Sequence, residues 1–152
     1  MEQVTSRSSP EKINQELAAR RTGMSFQRTR LSADRTLMSV IRTSLSLISF
    51  GFTIFQVFHK LKEQSVLTGT RPALHFGVAL VALGIAMLVI GSIYHIQFML
   101  GLRAERKEMT AEGLIHGESR FPPSFTLITA AVLFVIGVAA IMSMLFQVGP
   151  FE

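Results

Sequence analysis

Three apolar runs dominate this chain: Leu37 to Phe58, Leu74 to Leu100 and Phe125 to Val148. Each is long enough to cross a bilayer core of about 30 Å, which takes roughly 20 helical residues. The second and third contain no Asp, Glu, Lys or Arg, and the first contains one, Arg42. Lipid offers no partner for backbone N–H and C=O groups, so spans of this kind must be helices. The expected fold is all-α, a transmembrane bundle of three spans.

Composition agrees. Only 16% of the 152 residues are charged and the mean hydropathy is +0.42, against about 25% charged in an average soluble domain. A soluble enzyme is therefore a poor expectation. There is no cysteine, which removes disulfides, thiolate zinc sites and cysteine nucleophiles together. The first apolar run begins behind a long polar segment and exceeds a signal-peptide core in length, so no cleaved targeting segment is expected.

The net charge of +5 and pI near 10.5 are explained by where the basic residues lie. Residues 1–36 carry seven Lys and Arg and residues 101–124 carry four, whereas 59–73 carries three and the segment after the third span none. Eleven against three places the N-terminus inside and the C-terminus outside by the positive-inside rule. Basic segments beside a membrane meet anionic headgroups, and nucleic acid is not needed to account for them. Residues 1–25 are read as a basic cytoplasmic tail and 26–148 as the membrane domain. Within the tail, Glu11–Arg21 follows Ser9 and Pro10 and is closed by Gly23, which suits a solvated tail or a short helix on the membrane surface.

The first span holds a periodic polar pattern. Arg28, Arg35, Arg42, Ser49 and Gln56 recur every seven residues, beside a second row of Ser32, Ser39, Ser46 and Thr53. Offsets of three and four place the rows side by side on one helix face. Within 37–58 all six row positions are polar, while the other sixteen hold two such residues, Thr43 and Ser44. That face is expected to avoid lipid. Three uses remain open: packing against another helix, lining a polar path built by several copies, or contacting lipid headgroups, since the stem of Arg42 can snorkel.

On the second span Gly77, Gly84 and Gly91 also recur every seven residues, as a close helix contact requires. Tyr94 reads as an interfacial anchor. Thr129, Ser143 and Gln147 on the third span suggest packing.

Catalytic chemistry is sparse. His59 and His75 fall on one side of the membrane and His95 and His116 on the other, so they cannot form one metal cluster within a chain; structural or interfacial roles are expected. The spans have no Asp or Glu to relay protons. No phosphate-binding loop, dinucleotide fingerprint or zinc-protease motif occurs. Glu105, Glu108, Glu112 and Glu118 alternate with basic residues and are read as a solvated, salt-paired surface. No enzyme activity and no cofactor or metal are expected.

The stretch Leu31-Ser-Ala-Asp-Arg-Thr-Leu-Met-Ser-Val-Ile-Arg-Thr-Ser-Leu-Ser-Leu resembles the signature of domain-of-unknown-function family 202, roughly L-A-x-E-R-T-x-L-A-W-x-R-T. Arg35, Thr36, Arg42 and Thr43 match, and Asp34 stands where Glu is usual; Leu37 and Val40 depart from a common Phe and Trp. Tyr94-His95, the arginines after them and a proline-led third span extend the resemblance over about residues 26–148. The family includes bacterial YidH-like inner-membrane proteins and the membrane domain of fungal vacuolar transporter chaperone subunits. The resemblance implies a multi-pass protein of the bacterial inner (plasma) membrane, forming a homo-oligomer as an accessory or channel-forming subunit. By resemblance, Arg28 and Arg35 match basic positions of the fungal complex, which moves polyphosphate, while Arg42 matches the bacterial pattern; the three together would contact polyphosphate or anionic lipid. The residues outside the spans are too few for that complex's polymerase or phosphate-sensing domains. A structural or lipid-interacting scaffold with no conduction path is the alternative.

Overall fold

A helix needs a start, a stop and little in between that breaks it, and three segments of this chain meet those terms. The computed structural model describes residues 9–64, 71–113 and 124–146. It contains three helices, α1 (Pro10–Glu63), α2 (Arg71–Ala111) and α3 (Phe125–Phe146), and no strand among the described residues. All three are long and apolar enough to cross a membrane.

The ends follow local chemistry. Pro10 opens α1, a position where its missing N–H is no loss, and the Ser9 carbonyl accepts the N–H of Ile13 at 3.1 Å. Glu11 and the pair Lys60 and Lys62 occupy the two ends with charges that suit the helix dipole. Just past α2, Gly113 takes φ 72°, the left-handed conformation that caps a helix C-terminus. The carbonyl of Ser124 accepts the N–H of Leu127 at the start of α3.

Two of these helices overrun the expected spans. Helix α1 begins at Pro10 and runs without a break through Gly23 and through the expected boundary after residue 25. A single glycine inside a helix costs about 1 kcal/mol, too little by itself to stop a long one. Helix α2 continues beyond Leu100 to Ala111. Gln147 and Val148, at the end of the expected third span, lie outside the described residues, as do His116 and Glu118.

The chain divides into two compact units. Unit 1 comprises Met1–Arg35 and His95–Pro123. Its described part pairs the first half of α1 with the last turns of α2, and Phe26, Leu102 and the half-buried Met109 form its small apolar core. Unit 2 comprises Thr36–Tyr94 and Ser124–Glu152, and is a three-helix bundle. Leu37, Ile41 and Ile48 of α1, Val81 and Leu88 of α2, and Ala130, Leu133 and Met144 of α3 fill its centre.

The bundle depends on close approach of backbones. A Cβ placed on Gly77 would stand 2.8 Å from the carbonyl oxygen of Gly51, and one on Gly84 would stand 3.0 Å from that of Ser44. On Gly91 it would meet Val40 at 2.7 Å. The glycine row of α2 thus lies directly against α1, at distances no side chain tolerates. Gly51, which sequence periodicity did not single out, is equally confined, and Gly137 lies closely against the side chains of Ile48 and Ile85.

Candidate functional site

Unit 2 sorts its outward faces by chemistry. Helices α2 and α3 turn out large apolar side chains such as Phe76, Leu83, Ile90, Val132, Val135 and Phe146, as lipid requires. On α1 the residues turned outward include Ser39, Arg42, Thr43, Ser46, Ser49 and Thr53, all exposed, with Gln56 half-buried. Met38, Leu45, Phe50 and Val57 are also exposed on this helix, the last two among the polar positions. The polar stripe therefore does not pack against α2 or α3 of its own bundle. The serine that does is Ser44, which is 0% exposed and whose Oγ has no hydrogen-bond partner.

Part of the stripe satisfies itself. Thr43 Oγ1 donates to the Ser39 carbonyl at 3.0 Å, Ser46 Oγ to that of Arg42 at 3.0 Å, and Thr53 Oγ1 to that of Ser49 at 2.8 Å. Such bonds to the preceding turn let a hydroxyl sit in an apolar setting. A guanidinium has five donors and no such recourse, so Arg42 is the member of the stripe least suited to hydrocarbon.

Unit 1 brings together Arg30 and Asp34, four residues apart on α1, and His95 of α2. Asp34 Oδ1 lies 3.4 Å from Nε2 of His95, and Asp34 Oδ2 lies 3.9 Å from Nε of Arg30. The imidazole is 4% exposed and its Nε2 makes no hydrogen bond, so the contact with the carboxylate is one of proximity. Asp34 takes Arg30 four residues before it, leaving a different arginine set facing outward. Arg20 pairs with Glu16 at 2.8 Å. Arg28 and Arg35 are exposed and make no hydrogen bond or ion pair with the described residues. Thr36 is exposed beside them.

The remaining expectations divide. His59 stacks on Phe55 with ring centroids 5.7 Å apart, and His75 is exposed. Glu105, Glu108 and Glu112 are exposed but are not salt-paired with any described residue, contrary to the surface expected from their alternation with basic residues. Reading order along a chain says nothing of which charges are neighbours on a helix. Only the 3.6-residue turn decides that.

The family model for a domain of unknown function, DUF202, matches residues 28–101. Residues 28–101 are a DUF202 domain. The match begins at Arg28 and takes in Asp34, Arg35, Arg42, the glycine row and His95. Membership of the YidH-like branch is consistent with it. No curated protein and no solved structure matches the chain. With three helices able to cross a membrane and a DUF202 domain, this is a small multi-pass membrane protein.

Proposed function

We propose that this DUF202 protein is a non-enzymatic, oligomeric subunit of the bacterial inner membrane, N-terminus inside, in which the polar face of α1 lines a path shared by several copies. The observation that carries this reading is the outward direction of Ser39, Arg42, Ser46, Ser49 and Thr53 in a bundle whose other two helices turn apolar residues outward. Lipid is a poor neighbour for that stripe, and copies of the same chain are a suitable one. Arg28 and Arg35, exposed and without an ion pair among the described residues, present planar guanidinium donors that bind phosphate oxygens two at a time and stay charged at any working pH. A phosphate-rich polymer such as polyphosphate, or the headgroup of an anionic lipid, has the matching chemistry.

The test is binding by the purified full chain. Wild type should bind polyphosphate or anionic vesicles with steep salt dependence, and Arg35→Gln combined with Arg42→Gln should lose most of that binding while the helices remain folded by circular dichroism. Undiminished binding by the double variant would remove the anion role from these arginines.

A scaffold without a path is the second reading, favoured by the hydroxyls of Thr43, Ser46 and Thr53, which bond their own helix and need no further partner. Binding of anionic vesicles but not of polyphosphate would support it.

A further inference from the structure

The charges on the last turns of α2 are sorted in a way that an isolated helix does not favour. Residues three and four apart are neighbours on a helix surface. In this stretch those neighbours are Arg103 with Arg106, Arg103 with Lys107, Glu105 with Glu108, and Glu108 with Glu112. All four pairs are of like charge, and no acid stands three or four residues from a base between Arg103 and Glu112. Like pairs at these offsets weaken a helix by themselves.

The sorting produces two flanks. At about 100° per residue, Glu105, Glu108 and Glu112 fall within about 60° of one another, and Arg103 and Lys107 fall together on the other flank. All five side chains are exposed, and none has a hydrogen bond or ion pair with a described residue. Arg106, between the flanks, is half-buried and has a partner. A charge arrangement that is unfavourable within one helix becomes favourable when the helix meets its own copy.

We propose that the two flanks are the two halves of a contact between copies of this chain: Glu105, Glu108 and Glu112 of one copy dock against Arg103 and Lys107 of the next. This rests on the oligomeric reading above and adds to it the surface by which copies join. Copies related by rotation about the membrane normal keep each residue at its own depth. Glu105 is two residues from both Arg103 and Lys107, about 3 Å of helix rise, which Arg and Lys side chains span readily. An acidic flank meeting a basic one is a head-to-tail contact, the kind that closes into a ring rather than a two-fold dimer. A bilayer surface is a poorer occupant, because anionic headgroups attract the basic flank and repel the acidic one.

Charge reversal and its rescue decide the matter. The full chain and its variants would be compared by native mass spectrometry from one detergent at one concentration. Wild type should be oligomeric; Glu105→Lys with Glu108→Lys and Glu112→Lys should lower the assembled fraction about ten-fold, and Arg103→Glu with Lys107→Glu should do the same. The chain carrying all five substitutions exchanges the flanks and should assemble as wild type does. Assembly of both single-flank variants at the wild-type level would overturn the docking while leaving the oligomeric reading intact. Loss in both without recovery in the exchanged chain would also overturn it, since damage to folding would then explain the loss. A monomeric wild type would overturn both readings.

Discussion

Asp34 of α1 and His95 of α2 face one another with 3.4 Å between carboxylate and imidazole, and the imidazole is 4% exposed. The same carboxylate holds Arg30, whose side chain is 14% exposed. Asp34 therefore serves as the common partner of two nitrogen groups, on two helices, that have little water to turn to.

Removing that carboxylate leaves both without it. Asp34→Asn should lower stability by about 1–3 kcal/mol, the usual cost of weakening a largely buried charged contact. Thermal unfolding in detergent, followed by helicity, measures this. A variant that melts with wild type would show that Asp34 holds nothing in place.

Gly84 offers a second test, at the centre of the bundle. A Cβ there meets the Ser44 carbonyl at 3.0 Å and the Cβ of Leu47 at 3.1 Å, and neither can yield without moving α1. Gly84→Leu should cost about 1–3 kcal/mol or prevent folding, whereas Leu83→Ile, at an exposed position, should be nearly neutral. Equal behaviour of the two in the same melting experiment would mean that the glycines are present by composition alone.

The three helices were legible because a membrane span announces itself in about twenty consecutive apolar residues. The starts at Pro10 and Phe125 were legible too, from Ser9-Pro10 and from the apolar run, but the extent of α1 and α2 was not. Thin apolar content and Gly23 left Glu11–Arg21 open between a solvated tail and a short helix, whereas α1 runs on unbroken and packs Phe26 against Leu102. The seven-residue recurrence placed Ser39, Arg42, Ser46, Ser49 and Thr53 on one face but carried no information on what that face would meet. The bundle decides it, by burying Leu37, Ile41, Ser44 and Ile48 instead. Asp34 and His95 are far apart in sequence, and nothing in either neighbourhood points to the other. The close contact of Gly51 with Gly77 is of the same kind, a glycine outside any row on one helix matched to a row on another.

The proposed N-inside orientation rests on the eleven-to-three distribution of Lys and Arg. A reporter active only outside the cytoplasm, fused after Glu152, should be active, and the same reporter inserted between Gly113 and Pro122 should be silent. The reverse pattern at equal expression would invert the assignment.

The central claim is that the outward stripe of α1 meets water along a shared path and not lipid. The chain has no cysteine, so single cysteines report without background. In native membranes, Ser46→Cys and Ser49→Cys should react with a small water-soluble thiol reagent at least about ten-fold faster than Val132→Cys and Val135→Cys on the apolar face of α3, because only a hydrated thiol forms the reactive thiolate. Stripe cysteines as unreactive as those of α3 would contradict the path and leave α1 facing lipid or a dry helix contact.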